Sequence, residues 1–248
     1  MKNSKNFLLI MLCLVACNAN AQPKGIWDYP GKQSIWDFPI KPGMEEWRQF
    51  QSNEEMVMAC QIPEEALSSL STEYLTDLCL RYPLLADFFA FENTNAGLDK
   101  LFSDFNGIRE LYRRKDVSKY LTQHYVDKIQ SLSFLDGANQ DLEKGFFIIS
   151  ISTLEVLLSC IKWQNSEESK KVLQALVAGY EEKHKYSDYF KGTGFQTNFY
   201  ARSHILLKIQ PSFVERLPNK DKSGALYSGM ADAQSIHIID ELSYQIIK

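Results

Sequence analysis

Between Phe146 and Trp163 only Glu155 and Lys162 carry charge, and apolar residues fall on nearly every side of the helix that this stretch predicts. A helix without a wet face belongs either in the middle of a helical core or in a bilayer. The bilayer fits poorly: it would place Glu155 near mid-span, at a cost of about 3 kcal/mol, on a segment barely long enough to cross. Residues 140–163 are therefore read as a core helix that other helices must surround. Glu155, buried within it, must be paired or protonated.

The rest of the chain supplies the surrounding helices. Ser52-x-x-Glu55 has capping-box spacing, Ser71 and Asp116 stand where caps are expected, and Pro63 and Pro83 sit where first turns would begin. Helices are predicted over 53–60, 63–70, 72–81, 83–91, 95–113 with a break near Asn106-Gly107, 117–134, 140–163, 166–186, 195–209 and 230–247. In 166–186 the residues Val172, Leu176, Val177 and Tyr180 form an apolar stripe, and Glu181, Glu182 and Lys183 are assigned to water. The polar stretch 218–229 reads as a loop. No run of β-branched alternation competes, so residues 44–248 are expected to form one all-α domain of about ten helices, armadillo-like in its early short-helix region or an irregular bundle.

The first 43 residues are unlike this body. Met1 to Lys5 is a short basic start, Phe7 to Val15 is an apolar run, and small residues follow up to Gln22, which together read as an export signal over 1–21. Two cleavage patterns overlap. Leu14-Val15-Ala16-Cys17 has the shape of a lipobox, in which Cys17 would carry a diacylglycerol anchor and give the chain its one route to a membrane. Ala19-Asn20-Ala21 before Gln22 fits small-x-small cleavage, releases a free chain, and is favoured because it is well spaced from the apolar run.

Residues 22–43 then hold Ile26-Trp27-Asp28-Tyr29-Pro30-Gly31-Lys32 and, nine residues on, Ile35-Trp36-Asp37-Phe38-Pro39-Ile40-Lys41. A proline in each copy, with Pro42-Gly43 closing the stretch, disfavours helix and predicts extended chain and turns. Two copies are too few for a solenoid. The expected role is an arm whose aromatic residues Trp27, Tyr29, Trp36 and Phe38 make contacts, either with the helical body or with an envelope protein or glycan.

Composition narrows the function classes. Removing residues 1–21 deletes Lys2 and Lys5 and no acid, which takes the formal charge from −4 to −6. Export and acidity argue against nucleic acid, and the one basic cluster, Arg113-Arg114-Lys115, lacks the interleaved aromatics that stack bases. Beyond Cys17 the cysteines are Cys60, Cys79 and Cys160, without a Cys-x-x-Cys pair. Zinc and thioredoxin-like motifs are therefore missing, and these thiols read as small buried hydrophobes, with Cys60–Cys79 the one pair close enough in sequence for a disulfide.

Patterns for chemistry are incomplete. Glu181-x-x-His184 and His237-x-x-Asp240 each occur once, where a di-iron bundle needs paired motifs and a zincin needs His-Glu-x-x-His. His184 lies in a charge run and reads as a surface residue; His237, between Ile236 and Ile238, reads as a hydrogen-bonded core histidine. Cys160 with His204 could form a nucleophile–base pair only inside the apolar helix, where desolvation disfavours a thiolate. Gly192-Thr193-Gly194 lacks the rest of a nucleotide fingerprint. No catalytic, metal-ligating or cofactor-binding residue is assigned, and no cofactor is expected.

Pro39-Ile40-Lys41-Pro42-Gly43-Met44-Glu45-Glu46-Trp47, Ala59-Cys60-Gln61-Ile62-Pro63-Glu64-Glu65, Leu70-Ser71-Thr72 and Tyr82-Pro83-Leu84 together resemble the N-terminal helical module of a poorly characterised family of exported bacterial proteins. The resemblance covers 38–115 well and the remainder loosely. It implies an envelope-located helical scaffold and no known reaction. Some relatives continue into a Cys-His segment suggestive of a papain-like amidase, whereas the last third of this chain has no cysteine, so no catalytic residue carries over. The expected function is a non-catalytic interaction or scaffold protein of the bacterial envelope; the rival is an envelope-polymer hydrolase using groove carboxylates such as Glu92 or Asp104.

Export is testable by intact mass of the native protein. An N-terminus at Gln22 or an acylated Cys17 is the expected result, and full-length chain in the cytoplasm would refute both forms.

Overall fold

The computed structural model describes residues 36–138, 140–162, 165–191, 193–218 and 232–248. Cys17, Trp27, Tyr29 and nearly all of the 218–229 stretch lie outside the described residues. Serine caps start two of the short helices. Helix α1 (Asn53–Ala59) begins at Ser52, whose hydroxyl accepts the Glu55 N–H at 3.2 Å, while the Glu55 carboxylate reaches back to the Gln51 N–H at 2.7 Å. Helix α2 (Glu64–Ser69) follows Pro63, and α3 (Thr72–Leu80) starts where the Ser71 hydroxyl accepts the Tyr74 N–H. Then come α4 (Thr94–Asp104), α5 (Asn106–Leu111), α6 (Val117–Gln130), α7 (Phe134–Gly137), α8 (Asp141–Ser159), α9 (Ser166–His184), α10 (Thr193–Ile209) and α11 (Ala233–Ile247). Short 3-10 turns cover Glu46–Gln49, Leu85–Ala90 and Pro211–Arg216, and the described residues contain no strand.

Three expectations are corrected before α8. The helix predicted over 83–91 is a 3-10 segment, Leu85–Ala90, which follows Leu84 without a capping side chain; so short an uncapped piece takes the tighter winding. Asp116 supplies no side-chain cap to α6. The stretch 117–134 divides at Ser131, whose hydroxyl bonds back to the Asp127 carbonyl at 2.8 Å, so α7 is a separate turn of helix.

Helix α8 is the axis of a single helical domain. Every residue from Ser150 to Ser159 is buried. Helices α10 and α6 pack along it, α9 closes against both, and α11 lies across α9 and α10. The hydroxyls of Ser150, Thr153 and Ser159 bond carbonyls of their own helix at 2.6–2.8 Å, so the polar atoms cost little in the core. Beyond the last turn, the Lys208 ammonium donates to the carbonyls of Ser159 and Ile161 at 2.8 and 3.0 Å, where orphan acceptors and the helix dipole both favour a cation. This ends α8 at Ser159, short of the expected 163.

The short helices join this core through α3, which packs on α5 and α6. The break between α4 and α5 falls at Phe105, in extended conformation, and is fixed by a reciprocal clamp. Asn106 donates to the Ile62 carbonyl at 2.7 Å and accepts the Ile62 N–H at 3.0 Å; Gln61 accepts the Asn106 N–H and donates to the Asp104 carbonyl. Helix α4 meets the 85–90 turn at Gly97, where an added Cβ would stand 2.3 Å from the Phe88 carbonyl oxygen. Backbone cannot swing aside as a side chain can. Gly97→Ala is expected to cost about 2 kcal/mol, measured by chemical denaturation, despite the better helix propensity of alanine.

Candidate functional site

The second copy of the repeated segment is seated on the helical body. The Tyr74 hydroxyl of α3 donates to the Trp36 carbonyl at 2.6 Å, and Arg81, just past the end of α3, pairs with Asp37 at 2.8 Å. Lys41 closes on the other carboxylate oxygen at 2.6 Å. Phe38 enters the core, only 3% exposed, against the stacked rings of Tyr82 and Phe105, and the Trp36 indole meets it edge-on with centroids 5.1 Å apart. Burial works to raise the Asp37 carboxyl, but hydrogen bonds from Lys41 and from the Phe38 N–H, with the Arg81 charge, outweigh it and hold it below its ordinary value. The contacts combine a buried aromatic ring, a charge pair and a satisfied backbone carbonyl.

A different polar site occupies the centre of the bundle. Glu155, fully buried on α8, accepts through Oε1 from Lys183 at 2.7 Å, from Asn198 at 2.9 Å and from the Tyr125 hydroxyl at 2.9 Å, and through Oε2 from Thr197 at 2.6 Å. Lys183 of α9, also fully buried, donates further to the Gly194 carbonyl at 2.8 Å and lies over the rings of Phe190 and Phe195. Burial pulls the Lys183 ammonium below its ordinary pKa, against the opposing pull of Glu155. Tyr125 is pushed well up, by burial first and then by the Glu155 charge. One turn beyond Asn198, Arg202 pairs with Asp240 of α11 between the rings of Tyr180 and Phe199. Two carboxylates and two cations thus balance. Tyr125 reaches Glu155 by crossing α9 at Gly179, where any Cβ would fall 2.0 Å from its hydroxyl.

The other sequence candidates disperse. His237 is exposed, not a core histidine: Ser235, Ile238 and Ile239 turn inward and carry it outward on α11. His184 is exposed and stacks on Phe195, while Glu181 accepts the Tyr244 hydroxyl at 2.7 Å, so these two residues have separate tasks. Asp240 goes to Arg202. Cys160 bonds the Val156 carbonyl with its thiol pushed up to about 11, chiefly by burial, and His204 turns Nδ1 to the Tyr200 carbonyl of its own helix. Cys60, Cys79 and Cys160 are free thiols, so the Cys60–Cys79 disulfide does not form. Asp104 pairs with Lys100, and Glu92 is exposed before α4. Among the described residues no cluster of three His, Cys, Asp or Glu side chains is placed to hold a metal ion, and no helix is long and apolar enough to cross a membrane.

Lys183 is buried, against its assignment to water, and Asn198 and Arg202 are buried polar residues that no sequence motif marks. A signal was present: Lys183 continues the stripe of Val172, Leu176 and Tyr180 at helical spacing, and Asn198 and Arg202 stand four apart on α10. Glu155→Gln should lower unfolding free energy by about 3 kcal/mol, because it leaves the buried Lys183 charge without its partner. Glu181→Gln, on the exposed side, should change it by under about 0.5 kcal/mol. Adding Lys183→Met to Glu155→Gln should restore part of the loss, and urea titration of the three variants measures all of these.

Comparison with protein-family models, with curated proteins and with solved structures finds no match to this chain.

Proposed function

We propose that this chain is an exported, non-catalytic interaction protein of the bacterial cell envelope whose helical body receives extended aromatic-acidic segments at the face formed by Tyr74, Arg81, Tyr82 and Phe105. The observation that carries this is the seated segment itself. Its recognition chemistry is complete, with a buried ring, a paired carboxylate and a satisfied backbone carbonyl. It is also modular, because its contacts with the body come from three consecutive positions, Trp36, Asp37 and Phe38, with Lys41 bracing Asp37, so an extended segment with the same pattern on an envelope partner would meet the same groups. Support for the location comes from the basic and apolar leader and from the resemblance of residues 38–115 to exported helical modules.

The direct test is a labelled peptide spanning residues 34–43, titrated against the full chain carrying Tyr29→Ala, Phe38→Ala, Asp28→Asn and Asp37→Asn, so that neither copy of its own arm offers the ring or the carboxylate. Saturable binding is expected. Adding Arg81→Ala should weaken it about tenfold, as befits loss of a charge-assisted hydrogen bond. Absence of binding, or binding indifferent to Arg81, would overturn the receptor reading.

A further inference from the structure

The seated copy identifies, position by position, what the body recognises, and the chain carries that set twice. Trp36 gives its carbonyl to Tyr74, Asp37 pairs with Arg81 and Lys41, and Phe38 fills the space against Tyr82 and Phe105. Nine residues earlier the same frame reads Trp27, Asp28, Tyr29 and Lys32. The one change at a contact position is Phe38 to Tyr29, a ring of the same outline with a hydroxyl added. We infer that the arm has two registers: the face built by Tyr74, Arg81, Tyr82 and Phe105 accepts Trp27–Tyr29 in place of Trp36–Phe38, within the same chain. This rests on the receptor reading above and names the ligand that is always nearby.

Two physical facts set the balance between the registers. Seating the first copy lengthens the connection to the Glu46–Gln49 turn by nine residues, and loop-closure cost grows only logarithmically with length, so the added length is a small handicap. The Tyr29 hydroxyl is the larger one, because a polar group taken into an apolar space needs a partner. Phe38 therefore holds the face in the resting chain. Tethering gives Tyr29 an effective concentration that a free segment must exceed, so the first copy wins whenever the second is drawn away. The consequence is a protected exchange: a partner that captures Trp36-Asp37-Phe38-Pro39 does not strip the core of its aromatic plug, since Tyr29 moves in behind it.

A thermal-unfolding cycle on the full chain reads the exchange. Tyr29→Ala alone should shift Tm by less than about 1 °C. Phe38→Ala should lower it by about 5 °C, because the first copy takes over, and the pair should lower it by about 10 °C, the shift expected for an emptied phenylalanine site in a chain of this size. Tyr29→Phe should raise the Tm of Phe38→Ala. If Phe38→Ala does not fold, Asp37→Asn combined with Asp28→Asn asks the same question through the Arg81 pair. A combined variant no less stable than the second-copy variant alone overturns the two-register arm while leaving the receptor reading intact. Second-copy variants without any effect on Tm overturn both. Light scattering separates the remaining case: a monomeric Phe38→Ala chain supports exchange within the chain, whereas a dimer that Tyr29→Ala abolishes overturns it and assigns the first copy to the face of a second molecule.

Discussion

A carboxylate at the centre of a helix buried on every side cannot stay there alone, and most of the long-helix bundle is arranged around that demand. The desolvation cost of Glu155 is met by four donors drawn from three different helices, α6, α9 and α10, and the resulting cation, Lys183, is itself met by a backbone carbonyl and two aromatic faces. Each donor fixes the rotation of its helix about α8. An apolar residue at 155 would leave those rotations to packing alone, which tolerates sliding far better than a hydrogen bond tolerates a wrong angle. Arg202 and Asp240 extend the same logic to α11, so the last helix is located by an ion pair as well as by its buried Ile238, Ile239 and Leu242.

The short-helix half is held by different means. Helices of six to nine residues bury little surface each, and here the linkers do much of the joining. The clamp of Gln61 and Asn106 ties the link before α2 to the break between α4 and α5, and His124 of α6 lies 3.0 Å from Asp77 of α3, which connects the two halves. Phe38 completes this region from outside the helices. Its ring joins Tyr82 and Phe105 in one aromatic group, so the arm is part of the core at that point.

Elements defined by local chemistry were legible. Ser52 and Ser71 cap the helices that their spacing announced, and the apolar run around Glu155 became the buried axis. Features set by the encounter of distant segments were not. Lys183 follows two glutamates in a run that looks solvated, yet its place on the stripe of Leu176 and Tyr180 carries it inward to Glu155, 28 positions away. His237 sits between isoleucines, yet the rotation of α11 that buries Ile238 and Ile239 turns it to solvent. Charge and neighbours described these residues; helical phase decided them.

The sequence by itself determined that the chain is helical, that residues 146–160 must be enclosed, and that a carboxylate enclosed with them would need partners, because periodicity, capping and desolvation act within a few turns of chain. It also displayed the repeated Trp-Asp-aromatic-Pro frame. The tertiary structure alone decided which cation reaches Glu155, which cysteines stay apart as thiols, and that Phe38 enters the body while Arg81 takes Asp37. Those pairings join residues tens of positions apart, and a pairing of that kind depends on how whole helices rotate and cross, a quantity that no window of local sequence contains.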